Sequence, residues 1–120
     1  PLVQALLKRF NRTGQKLVVK GLAHITGGGF VDNLPRVLPG NCDAVVRKGA
    51  WPVLPIFKFL QEKGGVPEAE LYQVFNMGIG MTLFVDRTRA EAVLKQIAAH
   101  GLRAWNIGEV VKGQGEARVE

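Results

Sequence analysis

Cysteine is almost missing from this chain of 120 residues: Cys42 stands alone. A single thiol excludes a disulfide framework and a thiol-rich metal site, and the plain reading is a cytoplasmic protein. Cys42 follows the turn residues Pro39-Gly40-Asn41 with no activating neighbour in sequence, so it reads as an incidental thiol. No run of about 18 uncharged apolar residues occurs, which leaves nothing to span a membrane as a helix. A basic leader is missing too. The chain opens Pro1-Leu2-Val3-Gln4, without an initiator Met, and enters a helical pattern at once, as a piece of a longer chain would. No Gly-Lys-Ser/Thr phosphate motif, no metal-ligand spacing of His with carboxylates and no Ser-His-Asp arrangement is present. Asp32, Asp43, Glu68, Glu70, Asp86 and Glu91 read as caps, turns or exposed faces, so no acid–base pair stands out.

What is present is ordinary globular composition, with 47% hydrophobic and 22% charged residues, enough for one domain over 1–120. The net charge of +6 invites an anionic partner. Lys8, Arg9, Arg12, Lys16 and Lys20 form an N-terminal cluster, but aromatic residues are not interleaved with them as a single-strand stacking platform requires. A solvated basic face or attraction for phosphorylated small molecules fits better than nucleic acid.

Apolar periodicity predicts the elements. Leu2, Val3, Leu6, Leu7 and Phe10 predict a first helix stopped by Gly14. Residues 17–25 predict a strand, 30–37 a short helix with Pro35 awkwardly inside it, and 43–47 a second strand. A helix from Pro55 to Gly64 and one after Pro67 follow. Residues 79–85 read as a buried strand, 88–100 as the clearest helix, capped by Gly101, and 104–111 as a further strand, with a possible edge strand after the Lys112–Gly115 turn. His100 sits where a cation favours a helix C-terminus. Interleaved helices and strands give an α/β or α+β class, a mixed sheet covered by helices.

Two segments can carry chemistry. In His24-Ile25-Thr26-Gly27-Gly28-Gly29-Phe30-Val31-Asp32-Asn33, a strand delivers three glycines to a helix start. Backbone N–H groups without Cβ atoms nearby can approach an anion, and a helix N-terminus adds positive potential. Thr26 adds a hydroxyl. The same glycines would equally serve a tight turn. The second is Phe75-Asn76-Met77-Gly78-Ile79-Gly80-Met81, where Asn76 offers a donor and an acceptor, and Gly80 suggests a close backbone or ligand approach.

These segments, with Asn33-Leu34-Pro35-Arg36-Val37-Leu38-Pro39, Trp51-Pro52-Val53, Ile56-Phe57 and Ala104-Trp105-Asn106-Ile107-Gly108-Glu109-Val110, occur in an order that resembles the C-terminal domain of the aminoimidazole ribonucleotide synthetase family. The resemblance covers nearly the whole chain. Phe30 stands where the family usually has an aliphatic residue. The resemblance implies a three-layer α/β/α fold with partial ferredoxin-like character. It implies the substrate-side half of a homodimeric cyclo-ligase that converts formylglycinamidine ribonucleotide and ATP to aminoimidazole ribonucleotide. ATP and Mg2+ would be held mainly by an N-terminal domain absent from this sequence. It also implies that Thr26, Gly27, Gly28, Gly29, Asn33, Asn76 and Gly78 bind substrate or its phosphate, with His24 as a catalytic candidate. The alternatives are a related ATP-dependent enzyme of the wider superfamily and a free-standing module that binds phosphorylated metabolites. No nucleic acid, membrane or metal-ligand role is implied for these residues.

Overall fold

The structure, a computed structural model, describes residues 2–12, 16–26 and 29–120. Gly14, Gly27 and Gly28 therefore lie outside the described residues. The chain forms two compact units, Pro1–Leu22 with Leu83–Asn106, and Ala23–Thr82 with Ile107–Glu120. Helices and strands interleave, as their apolar patterns predict. The strands fall into two sheets: β1 (Val19–His24) pairs with β3 (Met81–Val85), and β4 (Gly108–Lys112), β2 (Cys42–Val46) and β5 (Ala117–Val119) form a three-stranded sheet in that order. No helix among the described residues is long and apolar enough to cross a membrane.

In the first unit, α1 (Leu2–Phe10) turns Leu6 and Phe10, four residues apart, into the core. α5 (Ala90–Ala99) contributes Val93 and Ile97 at the same spacing. Val18 and Val19 complete this cluster, with Leu22, Leu83, Val85 and Ala104 packed around it. Burying each large apolar side chain stabilises by about 1.5–3 kcal/mol relative to exposure. α1 stops at Phe10, before Gly14, because Asn11 offers the chain other bonds. Its Oδ1 accepts from the N–H groups of Val18 and Val19 at 3.0 and 2.9 Å, and its Nδ2 donates to the Val19 carbonyl at 2.8 Å. The clearest predicted helix begins as a 3-10 turn over Arg87–Arg89 and becomes α-helical at Ala90. Asp86 caps that turn, accepting from the N–H and hydroxyl of Thr88 at 3.0 and 2.7 Å. At the far end the His100 ring nitrogen lies 2.9 Å from the Gln96 carbonyl.

In the second unit, β2 runs antiparallel to β4 and parallel to β5, so this sheet is mixed. α2 (Gly29–Asn33) packs against α4 (Glu68–Val74) and β5. The expected short helix over 30–37 is α-helical only to Asn33 and becomes a 3-10 turn over Leu34–Val37, where Pro35 has no N–H to continue it. α3 (Pro55–Gly64) starts with Pro in its first turn and buries none of its residues; Leu54, Ile56 and Phe59 are all more than half exposed. Strand β3 is half-buried along most of its length rather than buried throughout, as befits a strand of a two-stranded sheet. The segment 104–107 precedes β4 without being strand itself.

Candidate functional site

The two loops singled out from sequence are joined in the second unit by backbone and aromatic contacts. The Ile25 N–H donates to the Gly80 carbonyl at 2.9 Å, so the strand end before the glycines lies beside the second loop. Phe30, immediately after the glycines, is fully buried and packs against Trp51 at 5.5 Å between ring centroids. The Trp51 indole N–H in turn donates to the Met77 carbonyl at 3.0 Å. Tyr72 closes the aromatic group, edge-on to Trp51 at 6.4 Å. Burial first, then the Glu68 carboxylate, raises the Tyr72 phenol above its ordinary value. Lys48, hydrogen-bonded to Glu68 at 2.8 Å, is raised by that bond.

Local geometry shows how each loop is held. In the first, the Gly29 N–H donates to the Thr26 carbonyl at 3.0 Å, and Gly29 has φ of 61°. Asn33 is buried, and its Oδ1 accepts from both the N–H and the hydroxyl of Thr26, at 2.7 and 3.2 Å. In the second loop, Asn76 Oδ1 accepts from the Gly78 N–H at 2.9 Å, an Asx turn. Met77 and Gly78 both take positive φ, 53° and 90°. For Met77 that conformation costs about 1–2 kcal/mol. The bond from Trp51 and near-complete burial of Met77 hold it there.

The sequence-predicted residues thus divide. His24 and Thr26 are exposed at the end of β1 and just beyond it, where a ligand can reach them. Asn33 acts through Thr26, as the buried post of the turn. The Gly29 N–H and the Thr26 hydroxyl already have protein acceptors, so the first loop has fewer uncommitted donors than the sequence alone suggests. α2 has five residues, too short for a substantial helix dipole behind the loop. The chain makes no close approach on the Cβ side of Gly80, where a Cβ would meet nothing within 4 Å. The close approach falls at Gly108, where a Cβ would overlap the Val45 carbonyl. Sequence reasoning missed the part of Phe30 and Trp51 in joining the loops; the signal was a Phe at the exit of the glycines and a Trp upstream of a Pro-initiated helix. Among the described residues no group of three His, Cys, Asp or Glu side chains could hold a metal ion.

This arrangement has known relatives. The family described as AIR synthase related protein, C-terminal domain, matches residues 2–120. The phosphoribosylformylglycinamidine cyclo-ligase of Latilactobacillus sakei is 53% identical over 106 residues, 88% of this chain and 31% of that protein. That of Geobacillus kaustophilus is 48% identical over 101 residues, 84% of this chain and 29% of that protein. A crystal structure of E. coli HypE, a hydrogenase maturation protein, superposes with a TM-score of 0.70 at 28% identity, covering 99% of this chain and 34% of HypE. The chain therefore spans about a third or less of the lengths of these proteins. With the match extending over all but the first residue, the chain belongs to the AIR synthase related protein, C-terminal domain, family.

Proposed function

We propose that the chain works as the C-terminal part of an ATP-dependent cyclo-ligase that closes formylglycinamidine ribonucleotide to aminoimidazole ribonucleotide in purine biosynthesis, in the cytoplasm and as a homodimer. The observation that carries this reading is identity of 48–53% to proteins named phosphoribosylformylglycinamidine cyclo-ligase across most of the chain. The bridge from Phe30 through Trp51 to Met77 supports it, because it ties the two candidate loops together. In this reading the N–H groups of Gly27 and Gly28 hold the phosphate of the ribonucleotide, and the Thr26 hydroxyl turns from Asn33 Oδ1 to the phosphate when the substrate binds. Asn33 orients Thr26, and Asn76 with Gly78 faces the amidine end of the substrate. His24 is the candidate for proton movement during ring closure. ATP supplies the activation of the formyl oxygen that lets the amidine nitrogen attack. The described residues offer no group of three His, Cys, Asp or Glu side chains for magnesium, which in this reading is held with ATP mainly by the N-terminal part of the enzyme.

The test is a graft. The chain replaces the matching C-terminal segment of the Latilactobacillus sakei relative, and the chimera is assayed with ATP, magnesium and formylglycinamidine ribonucleotide. Turnover on the order of 1–1000 per second is expected, and none from the chain alone. Gly28→Ala in the chimera should weaken substrate binding by about 1–3 kcal/mol. A folded chimera that hydrolyses ATP but forms no aminoimidazole ribonucleotide would overturn the reading.

A further inference from the structure

The first unit contains a cavity of about 530 Å³ whose lining shares no residue with the two candidate loops. Four cations line it, Arg9, Arg12, Lys16 and Arg89, against one carboxylate, Asp86. The first three come from the basic cluster of the N-terminal sequence, and the fold adds Arg89 from the turn before α5. The guanidiniums of Arg9 and Arg89 each lie 5.3 Å from the centroid of the Phe10 ring. Arg9 is also held by a hydrogen bond to Gln96 Oε1. Both guanidiniums are thus seated on one buried ring in the cavity lining, and an anion in the cavity would offset the like charge they bring to it. Asp86 offers little compensation. Its Oδ1 is committed to Thr88, and the Lys16 ammonium is 3.7 Å from its Oδ2.

We infer that this cavity binds a small molecule carrying two or more linked phosphate groups. Guanidiniums meet phosphate oxygens in two-pronged fashion, and a concave surface of one sign concentrates an anionic ligand. The volume lies within the range of small-molecule sites, roughly 300–1,000 Å³. A single phosphate meets one or two of the cations; a linked pair can engage the Phe10-bound guanidiniums and the Arg12 side together. The ligand is recognised by its phosphates and not by a base, because Phe10 is 3% exposed and presents no face for stacking.

Isothermal titration of the full chain with inorganic pyrophosphate, at fixed ionic strength, is the direct test. Binding should exceed that of orthophosphate and match that of ADP. Arg12→Gln and Arg89→Gln should each weaken it about tenfold, the scale of one charge-assisted hydrogen bond. Arg103→Gln, outside the cavity, should leave it unchanged. Asp86→Asn separates the site from a folding defect by its sign: the amide oxygen can still accept from Thr88 while the opposing charge is gone, so pyrophosphate should bind more tightly. The inference is overturned if pyrophosphate binds no better than orthophosphate, or if ADP binds and pyrophosphate does not. Equal loss in Arg103→Gln, or binding of an oligonucleotide in preference to pyrophosphate, would overturn it as well.

Discussion

In the unit built on α1 and α5, every fully buried side chain among the described residues is apolar, from Leu6 and Phe10 to Val93 and Ile97. In the unit built on β2, two polar side chains are buried as well, Asn33 and Asp43, and both bond to the backbone of connections. An apolar core holds elements together without specifying where a loop goes, because its attraction is non-directional. A buried amide or carboxylate is directional, and leaving its partners unpaired is costly. The candidate loops are in the unit with the polar anchors. Asn33 holds Thr26, and the aromatic set holds Met77. The apolar unit instead carries a cationic cavity, built from side chains set on a helix end and a capped turn.

The sharpest way to break this comparison is to remove a core side chain from the apolar unit. Phe10→Ala should cost about 3–5 kcal/mol in urea unfolding, since Phe10 is 3% exposed and two guanidiniums lose the ring they cover. Hydrogen exchange should show the loss in residues 2–10 and 90–99 first. Equal loss of protection in 42–46 and 108–112 would mean that the units unfold as one, and that the contrast in construction has no counterpart in stability. A smaller effect is expected in the other unit at Gly108, which pairs with Val46 across the β2–β4 ladder. Gly108→Ala drives a methyl into the Val45 carbonyl and should cost about 1–3 kcal/mol. Gly80→Ala, with open space at its Cβ, should stay within about 0.5 kcal/mol. Urea midpoints of the two variants check this directly, and similar values would remove the distinction.

Much of the architecture was legible because it depends on local pattern. The Leu6–Phe10 and Val93–Ile97 stripes follow from helical periodicity, and Pro55 and Gly101 mark ends as their backbone chemistry requires. The end of α1 was misread because the competing interaction is an Asn side chain with a strand seven or eight residues on, not a glycine. The candidate loops were visible as glycine-rich segments, yet which of their donors are already satisfied was not. Whether Asn33 faces a ligand or the Thr26 N–H depends on tertiary placement, to which residue type gives no clue. Asp43 read as an ordinary turn or surface carboxylate; its acceptors are met by groups 71 to 75 residues away. The cationic cavity was half visible: the N-terminal cluster was plain, but Arg89 joins it only through the fold.

The polar anchor is tested through pH. Asp43 Oδ1 accepts from the N–H groups of Gln114 and Glu116 at 2.8 and 2.9 Å, and Oδ2 from Arg118 at 2.9 Å. The backbone N–H of Glu116 and then that of Gln114 hold its carboxyl below its ordinary value of 3.8, with Arg118 adding to them against the opposing effect of burial. A group whose pKa is depressed on folding stabilises the native state fully above its unfolded value, and that contribution disappears as pH falls through the folded value. The chain should therefore lose stability from this source only below pH 3.8. Asp43→Asn keeps one carbonyl oxygen for the two N–H groups but loses the charge that faces Arg118. Its Tm should lie below that of the parent chain at pH 7, and the gap should narrow steadily as pH drops below 3.8. Asp86→Asn provides the counterpart in the apolar unit, because Thr88 likewise holds the Asp86 carboxyl below its ordinary value. Asp86 spans one turn at the surface, whereas Asp43 ties β2 to the 112–115 turn and to β5, so its gap at pH 7 should be the larger. A pH-independent gap for Asp43→Asn would mean that the carboxylate contributes shape and hydrogen bonding alone, and that charge has no part in anchoring this unit.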